Sequence, residues 1–394
     1  MSLLRSSLQA IRQEYGTIIR QNHNLSIKER AYRKMRGWQV HSYGGIEELQ
    51  LAENAKIPTI SNANEVLVKV QTAGVNPIDV AMLRGYGAPI LKLARNATTD
   101  IEFPLTFGRE FTGVVVQKGM GVSDRLKTGQ TVWGVVPLQK QGSHAEYVVV
   151  SESTVTELPQ ELNSVEGSAV LYAGLTAWSG IFLVSNLGSL LPSNCLKSES
   201  SLRDKRVLIL GASGSVGSLA AQILKAEHAI VIGSCSSDAM PMVQTLGVDH
   251  IIDYTDESSS NAFSQCGPYD LILDCAGQGQ DGALKYGWQF KEFVTFSAPL
   301  LRNVDEHGLI FGMAKNVADL ATANIKTLST KQACVKWAYF VPSLRGIEYL
   351  KCLVERKKLL PKIDSVYGFD EAPEAYKKVK EGHLRGKVVI DFHK

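Results

Sequence analysis

Arg206–Gln222 reads RVLILGASGSVGSLAAQ, a short apolar run that breaks into a glycine-rich loop and then into an alanine- and leucine-rich helix former. Val207, Leu208, Ile209 and Leu210 leave no polar position between them, the pattern of a parallel strand covered on both faces. Gly211, Gly214 and Gly217 follow at i, i+3 and i+6. Each has a physical task if a dinucleotide sits here: a tight turn out of the strand, close approach of backbone N–H groups to a pyrophosphate, and tight packing of helix on sheet. Ser213, Ser215 and Val216 share that loop and complete the candidate phosphate cradle. A glycine-rich strand-to-helix turn that binds nothing has the same spelling, so the surrounding chain has to decide.

Downstream the chain alternates. AIVIGSC (229–235), HIIDY (250–254), YDLILDCAG (269–277) and EFVTFSA (292–298) read as strands separated by helix-compatible segments, and CVKWAYF (334–340) as a sixth. This rhythm predicts a right-handed, doubly wound parallel sheet with its ligand across the strand ends. The end of the second strand bears on the cofactor. An NAD-selective site carries a carboxylate there, whereas this chain reads Gly233-Ser234-Cys235-Ser236-Ser237 and reaches its first acid at Asp238. Hydroxyls and amides accept a 2′-phosphate that a carboxylate would repel, so the expectation is NADPH.

Upstream, from Met35, short β-type runs with turn punctuation (GWQVHSYGG, EVLVKVQTAGVNPIDV, FTGVVVQKG, TVWGVVP, AEYVVVS) predict an antiparallel barrel or sandwich. Leu83 to Pro104 reads as a loop bordering a site. All six cysteines lie at or beyond Cys195 with no CxxC pair, so neither a thiolate zinc cluster nor a disulfide framework is expected. Without a Lewis acid, polarising groups must be hydrogen-bond donors. NPIDVAMLRGYG offers Asn76, Asp79, Arg84 and Tyr86, of which Tyr86 is the expected proton donor, with Asn76 and Asp79 as further catalytic candidates. Asx residues beside Pro77 also fix turns, a purely structural alternative.

AGVNPIDVAMLRGYG (73–87), FPLTFGREFTGVVV (103–116), GLTAW (174–178), LILGASG (208–214) and GHLRGK (382–387) together resemble the zinc-free quinone oxidoreductase branch of the medium-chain dehydrogenase/reductase superfamily, over nearly all of Met35 to Phe392. The resemblance implies a GroES-like β-barrel catalytic domain plus a Rossmann-type cofactor domain. Its boundaries would be a transit peptide at 1–36, the first part of the catalytic domain at 37–170, the NADPH domain at 171–341, and a return to the catalytic domain at 342–394. Zinc-dependent relatives carry a ligand cysteine where Asn76 stands and a His-Glu pair where Arg109 and Glu110 stand. Related enoyl reductases place a catalytic tyrosine near Tyr86, although the spacing here is one residue shorter. By the same resemblance Thr176, Leu300 and Phe340 approach the nicotinamide, Ser236 and Tyr254 the 2′-phosphate, and His383, Leu384 and Arg385 reach back to the cofactor. Met240-Pro241 occupy the region where relatives add a phosphate-binding lysine.

The first 36 residues carry eight basic side chains against two acidic ones, leaving the remainder at −3 within a total of +3. On a helix, Leu4, Leu8, Ile11, Tyr15, Ile18 and Ile19 share one side, the pattern of a mitochondrial transit peptide, with the matrix preferred and outer-membrane association the other possibility. The near-neutral body carries no nucleic-acid footprint. The family resemblance implies NADPH-dependent hydride transfer to a quinone or other conjugated carbonyl, connected with ubiquinone metabolism, as the expected function. An enoyl-thioester reductase and an NADPH-binding interaction protein are the alternatives, and a reticulon-type membrane protein and a second copy of the chain are candidate partners.

Overall fold

The computed structural model describes residues 34–95, 102–188 and 202–394. Most of the leader lies outside these residues, and the first strand, β1 (Lys34–Val40), already begins at Lys34. It pairs with β2 (Gln50–Lys56) and β4 (Leu105–Thr106) in a three-stranded sheet.

The main β-domain is built on β3 (Glu65–Val75), which pairs antiparallel with β5 (Glu110–Lys118), β7 (Tyr147–Ser151) and β16 (Lys387–Asp391). β6 (Thr131–Val135) and β8 (Val155–Glu157) extend it on one side and β15 (Ile363–Gly368) on the other. β15 and β16, from the far end of the chain, thus share a sheet with β3, and Lys387 stands opposite the turn into the segment that carries Asn76.

The second sheet is wholly parallel, in the order β11 (His250–Asp253), β10 (Ile230–Cys235), β9 (Arg206–Leu210), β12 (Tyr269–Asp274), β13 (Phe290–Thr295), β14 (Cys334–Trp337). The order in which successive strands are added across the sheet reverses between β9 and β12, which opens a crevice at their C-terminal ends. β9 shows why its run has no polar position: Val207 and Ile209 pack into one core cluster while Leu208 and Leu210 pack into another on the opposite face. Covering layers on both sides remove any place for a solvated side chain.

An apolar helix, Leu171–Trp178, continued by a π-helical turn over Ser179–Val184, lies in the larger of these clusters. Ser164–Val184 is long and apolar enough to cross a membrane, and its interior position, 83% buried, accounts for that composition. Three local expectations are corrected. The stretch from Leu83 is not a loop: helices Pro77–Leu83 and Ala88–Arg95 flank the turn carrying Tyr86. SAPLL (297–301), by the resemblance a loop beside the nicotinamide, is helical from Leu300, which opens a 32-residue helix, Leu300–Lys331, broken where Gly308 takes a φ of +74°. Cys352 is disulfide-bonded, whereas Cys235, Cys266, Cys275 and Cys334 are free.

Candidate active site

The glycine loop leaves β9 through Gly211, whose φ of +80° is one that L side chains rarely adopt. Gly214 is the extended N-cap of helix Ser215–Ala226 and contributes no side-chain cap, so the first-turn N–H groups face outward with the positive end of the helix dipole. A Cβ on Gly214 would meet only the Gly211 carbonyl oxygen, at 3.7 Å, so the space before the helix is open. A Cβ on Gly217 would come 2.1 Å from that same oxygen, so this glycine is needed for helix and turn to touch. Those features fit a pyrophosphate.

The cradle opens into a cleft of about 1200 Å³ between the two sheets' domains. Gly211, Ser213, Gly214, Ser215 and Val216 line one part of it, and Asn76, Tyr86, Thr176 and Phe340 another. Ser236 and Tyr254 lie at one end with His383, Leu384 and Arg385. The two halves are tied across the cradle by the Ser215 hydroxyl, which donates to the Gly386 carbonyl at 2.6 Å. Backbone geometry explains the reach of this return segment: Gly382 and His383 both take positive φ, ending helix Ala372–Glu381 in a turn that swings Arg385 over the end of β10.

There Arg385 donates to Ser236 Oγ at 3.1 Å and pairs with Asp238 at 2.7 Å. Ser236 also donates to Asp238 at 2.5 Å, and these two partners hold the Asp238 carboxyl below the usual carboxylate range. A guanidinium therefore stands beside Ser236 where relatives place a lysine, but it comes from nearly 150 residues further along the chain.

On the opposite side of the cleft, Tyr172 stacks on Phe340 with ring centroids 4.2 Å apart. Thr176 donates to the Tyr172 carbonyl at 2.7 Å. Burial and the Asp305 carboxylate push the Tyr86 phenol upward, which keeps it protonated near neutrality and able to donate. Asn76 is 2% exposed; its amide donates to Glu110 Oε1 at 3.0 Å, and its carbonyl oxygen accepts from Lys387 Nζ at 2.5 Å.

Three expected residues do not line the cleft. Asp79 is fully buried behind Asn76, accepting from the Asn76 and Gly108 backbone amides at 2.9 Å each and facing Arg109 at 3.5 Å. It fixes the turn, as its place beside proline allowed. Gly217 acts beneath the cradle, and the Leu300 carbonyl is taken by Asn316 at 2.9 Å, while its neighbours Pro299 and Leu301 line the cleft. Lys387, Tyr172 and Tyr339, which do line it, were not singled out in the sequence. The Tyr339 hydroxyl is buried without a partner. The one signal for Lys387 was a lysine heading the otherwise apolar run KVVI.

Arg109 occupies the position of the zinc relatives' histidine and is itself a buried cation, spread over the Pro137, Leu138, Lys140 and Thr106 carbonyls. With Asn76 bonded to Lys387 at the other ligand position, this donor set does not fit a zinc ion. Among the described residues no group of three His, Cys, Asp or Glu could hold a metal.

A GroES-like barrel joined to a Rossmann sheet, with a cleft between them, defines a medium-chain dehydrogenase/reductase. Residues 62–160 match the alcohol dehydrogenase GroES-like domain, and residues 246–390 match a domain described as zinc-binding dehydrogenase. A solved quinone oxidoreductase from Coxiella burnetii superposes with a TM-score of 0.70 at 24% identity over 91% of this chain and 99% of its own. The chain is 50% identical to the mitochondrial NAD(P)H oxidoreductase RTN4IP1 of Drosophila melanogaster, over 91% of this chain and 86% of that one. It is 39% identical to the human protein of that name, over 91% and 89%. It belongs to this family of mitochondrial NAD(P)H oxidoreductases, and a nicotinamide cofactor follows from that membership.

Proposed function

We propose that this protein uses NADPH to reduce a quinone or another electron-poor conjugated carbonyl. The carrying observation is the cleft itself, in which an open helix N-terminus and the paired donors Asn76 and Tyr86 face one enclosed space. Gly211 to Val216 would hold the pyrophosphate, and Ser236 with Arg385 the 2′-phosphate. Tyr254, Thr176, Phe340, His383 and Leu384 would border the remainder of the cofactor. When bound, the cofactor supplies a hydride. The chain's own part is to exclude water, orient the acceptor carbonyl and supply a donor to the oxygen on which charge develops. One preorganised donor contributes about 3 kcal/mol in comparable sites. Tyr86 is the proposed donor, held protonated by burial and by Asp305.

A screen of NADPH oxidation against quinones, enones and enoyl thioesters tests this, with Tyr86→Phe alongside. Quinone turnover that falls roughly 100-fold in Tyr86→Phe is expected for a general acid. Turnover of enoyl thioesters alone would move the assignment to an enoyl reductase, and tight NADPH binding with no turnover on any acceptor would reject a reductase. A nematode relative, 30% identical, carries the name reticulon-4-interacting protein 1, mitochondrial. A reticulon is accordingly part of the proposal as partner, and failure of the two purified proteins to co-elute would remove it.

A further inference from the structure

Behind the donors, three nearly inaccessible side chains form a closed array that neither neighbouring motif announces. Lys387, from the first position of β16, is 3% exposed and Glu110, from the first position of β5, is 0%. They form an ion pair, and Lys387 Nζ also donates to Asn76 Oδ1 at 2.5 Å. Glu110 Oε1 accepts from Asn76 Nδ2 at 3.0 Å, and Oε2 from the Tyr172 backbone N–H at 2.9 Å. The space for this array exists because residue 74 is glycine: a Cβ there would meet Glu110 Oε1 at 2.6 Å and Lys387 Cε at 2.8 Å. An ammonium can only donate and an ionised carboxylate can only accept, so the Asn76 carboxamide can sit only one way round. One of its two N–H bonds goes to Glu110; the other has no partner among the described residues, on a residue that lines the cleft.

We infer that Lys387 is a positioning residue for hydride transfer, acting through Asn76. With a reduced nicotinamide held in the cleft, the acceptor would gain a C–H bond at the expense of the cofactor's own, the cofactor leaving oxidised, and the acceptor's displaced π-electron pair would move onto its oxygen. That oxygen then takes a proton from Tyr86 or water. The ammonium on Oδ1 draws density from the amide and strengthens the free N–H as a donor to the developing negative charge, while Glu110 prevents the amide from rotating. The cation that metal-bearing relatives supply at this position is thereby replaced by a buried side chain reached from the far end of the chain. The inference rests on the reductase reading above.

The test is a charge-neutral double variant, Lys387→Met with Glu110→Gln, chosen because Lys387→Met alone strands a buried carboxylate. NADPH affinity is read without turnover, by fluorescence titration. The expected result is a folded protein whose NADPH Kd stays within about twofold and whose acceptor KM stays within about threefold, while kcat falls roughly 100-fold, the loss typical of a missing oxyanion donor. Asn76→Ala, which leaves the ion pair in place, should lose as much. Combined with the double variant it should lose little more, since residues acting as one unit are not additive. A folded double variant with wild-type kcat overturns the inference. So does a kcat loss matched by an equal weakening of NADPH binding, which would mark a merely structural role. Should the double variant not fold, Asn76→Ala decides: retained kcat overturns the inference and a selective kcat loss supports it. Wild-type protein that binds NADPH but turns it over with none of the acceptors in the panel overturns the reductase reading itself and this inference with it.

Discussion

The two walls of the cleft are built on different principles. The cofactor wall is made of backbone: a turn at Gly211, an open helix start at Gly214 and a contact at Gly217 where a Cβ would stand 2.1 Å from an oxygen. Seven consecutive residues contain that cradle, the part of the wall proposed to hold the pyrophosphate. The acceptor wall is made of side chains, and its central hydrogen bond joins residues 311 positions apart, Asn76 and Lys387. A backbone site is rigid because its geometry is local. A side-chain site is rigid only if each polar group is held by another, and here Asn76, Glu110, Lys387, Asp79 and Arg109 perform that holding under almost complete burial. The two walls should therefore fail differently when altered.

The largest effect is expected behind the acceptor wall. Asp79→Asn leaves the Arg109 guanidinium buried opposite a neutral amide, and breaking a buried pair costs about 3–5 kcal/mol. Denaturant unfolding should show that loss, with kcat per folded molecule changed far less than by Tyr86→Phe; a selective loss of kcat would return Asp79 to the catalytic set. On the proposed cofactor wall, Gly217→Ala forces the helix off its turn and should cost about 1–3 kcal/mol, the usual range for overpacking, and should abolish the rise in Tm expected on adding NADPH to the wild type.

Next is the cofactor's phosphate end. Arg385→Ala should weaken NADPH by roughly 10- to 100-fold, the worth of one or two charge-assisted bonds, and leave NADH within about twofold. Asp238→Asn should act in the opposite direction, because the carboxylate now paired with Arg385 competes with a phosphate for it. Equal effects on both cofactors, read by titration, would separate Arg385 from the 2′-phosphate. The smallest effect concerns pH. With the Tyr86 phenol raised above its ordinary value of 10.0, the alkaline fall in kcat lies above pH 10, and Asp305→Asn, which removes part of the cause, shifts that fall downward. An unmoved alkaline limb would assign the proton to water.

The legibility of the two walls follows from how each is encoded. The run Val207–Leu210 is apolar because both faces of β9 are covered, so its strand and its parallel neighbours were readable as a pattern. Gly211 and Gly217 were readable because each excludes a side chain for a steric reason, one by its positive φ and one by a contact of 2.1 Å, while Gly214 leaves the space before the helix open. Beside Pro77 both Asp79 and Asn76 could fix a turn, with Asn76 the stronger site candidate; the tertiary structure separates them, with one carboxylate turned back to amides and a guanidinium and one amide lining the cleft. The helix that starts at Leu300 was obscured by the turn-like SAPLL before it and by the break at Gly308.

By itself the sequence determined the doubly wound sheet, the glycine turn that opens its first helix and the lack of an acid at the end of β10, and the resemblance it carries set Asn76 and Arg109 where zinc-dependent relatives have ligands. These are matters of local sterics and of side-chain chemistry at a single position, which neighbouring residues suffice to define. Only the tertiary structure decided what neutralises the charge near Ser236 and what holds Asn76. Arg385 and Lys387 belong to one short return segment, and their charges acquire a role only when β16 docks against β3 and brings one to Ser236 and the other to Asn76 in the lining of the same cleft. Electrostatic partners are chosen by distance in space, and spacing along the chain does not record it.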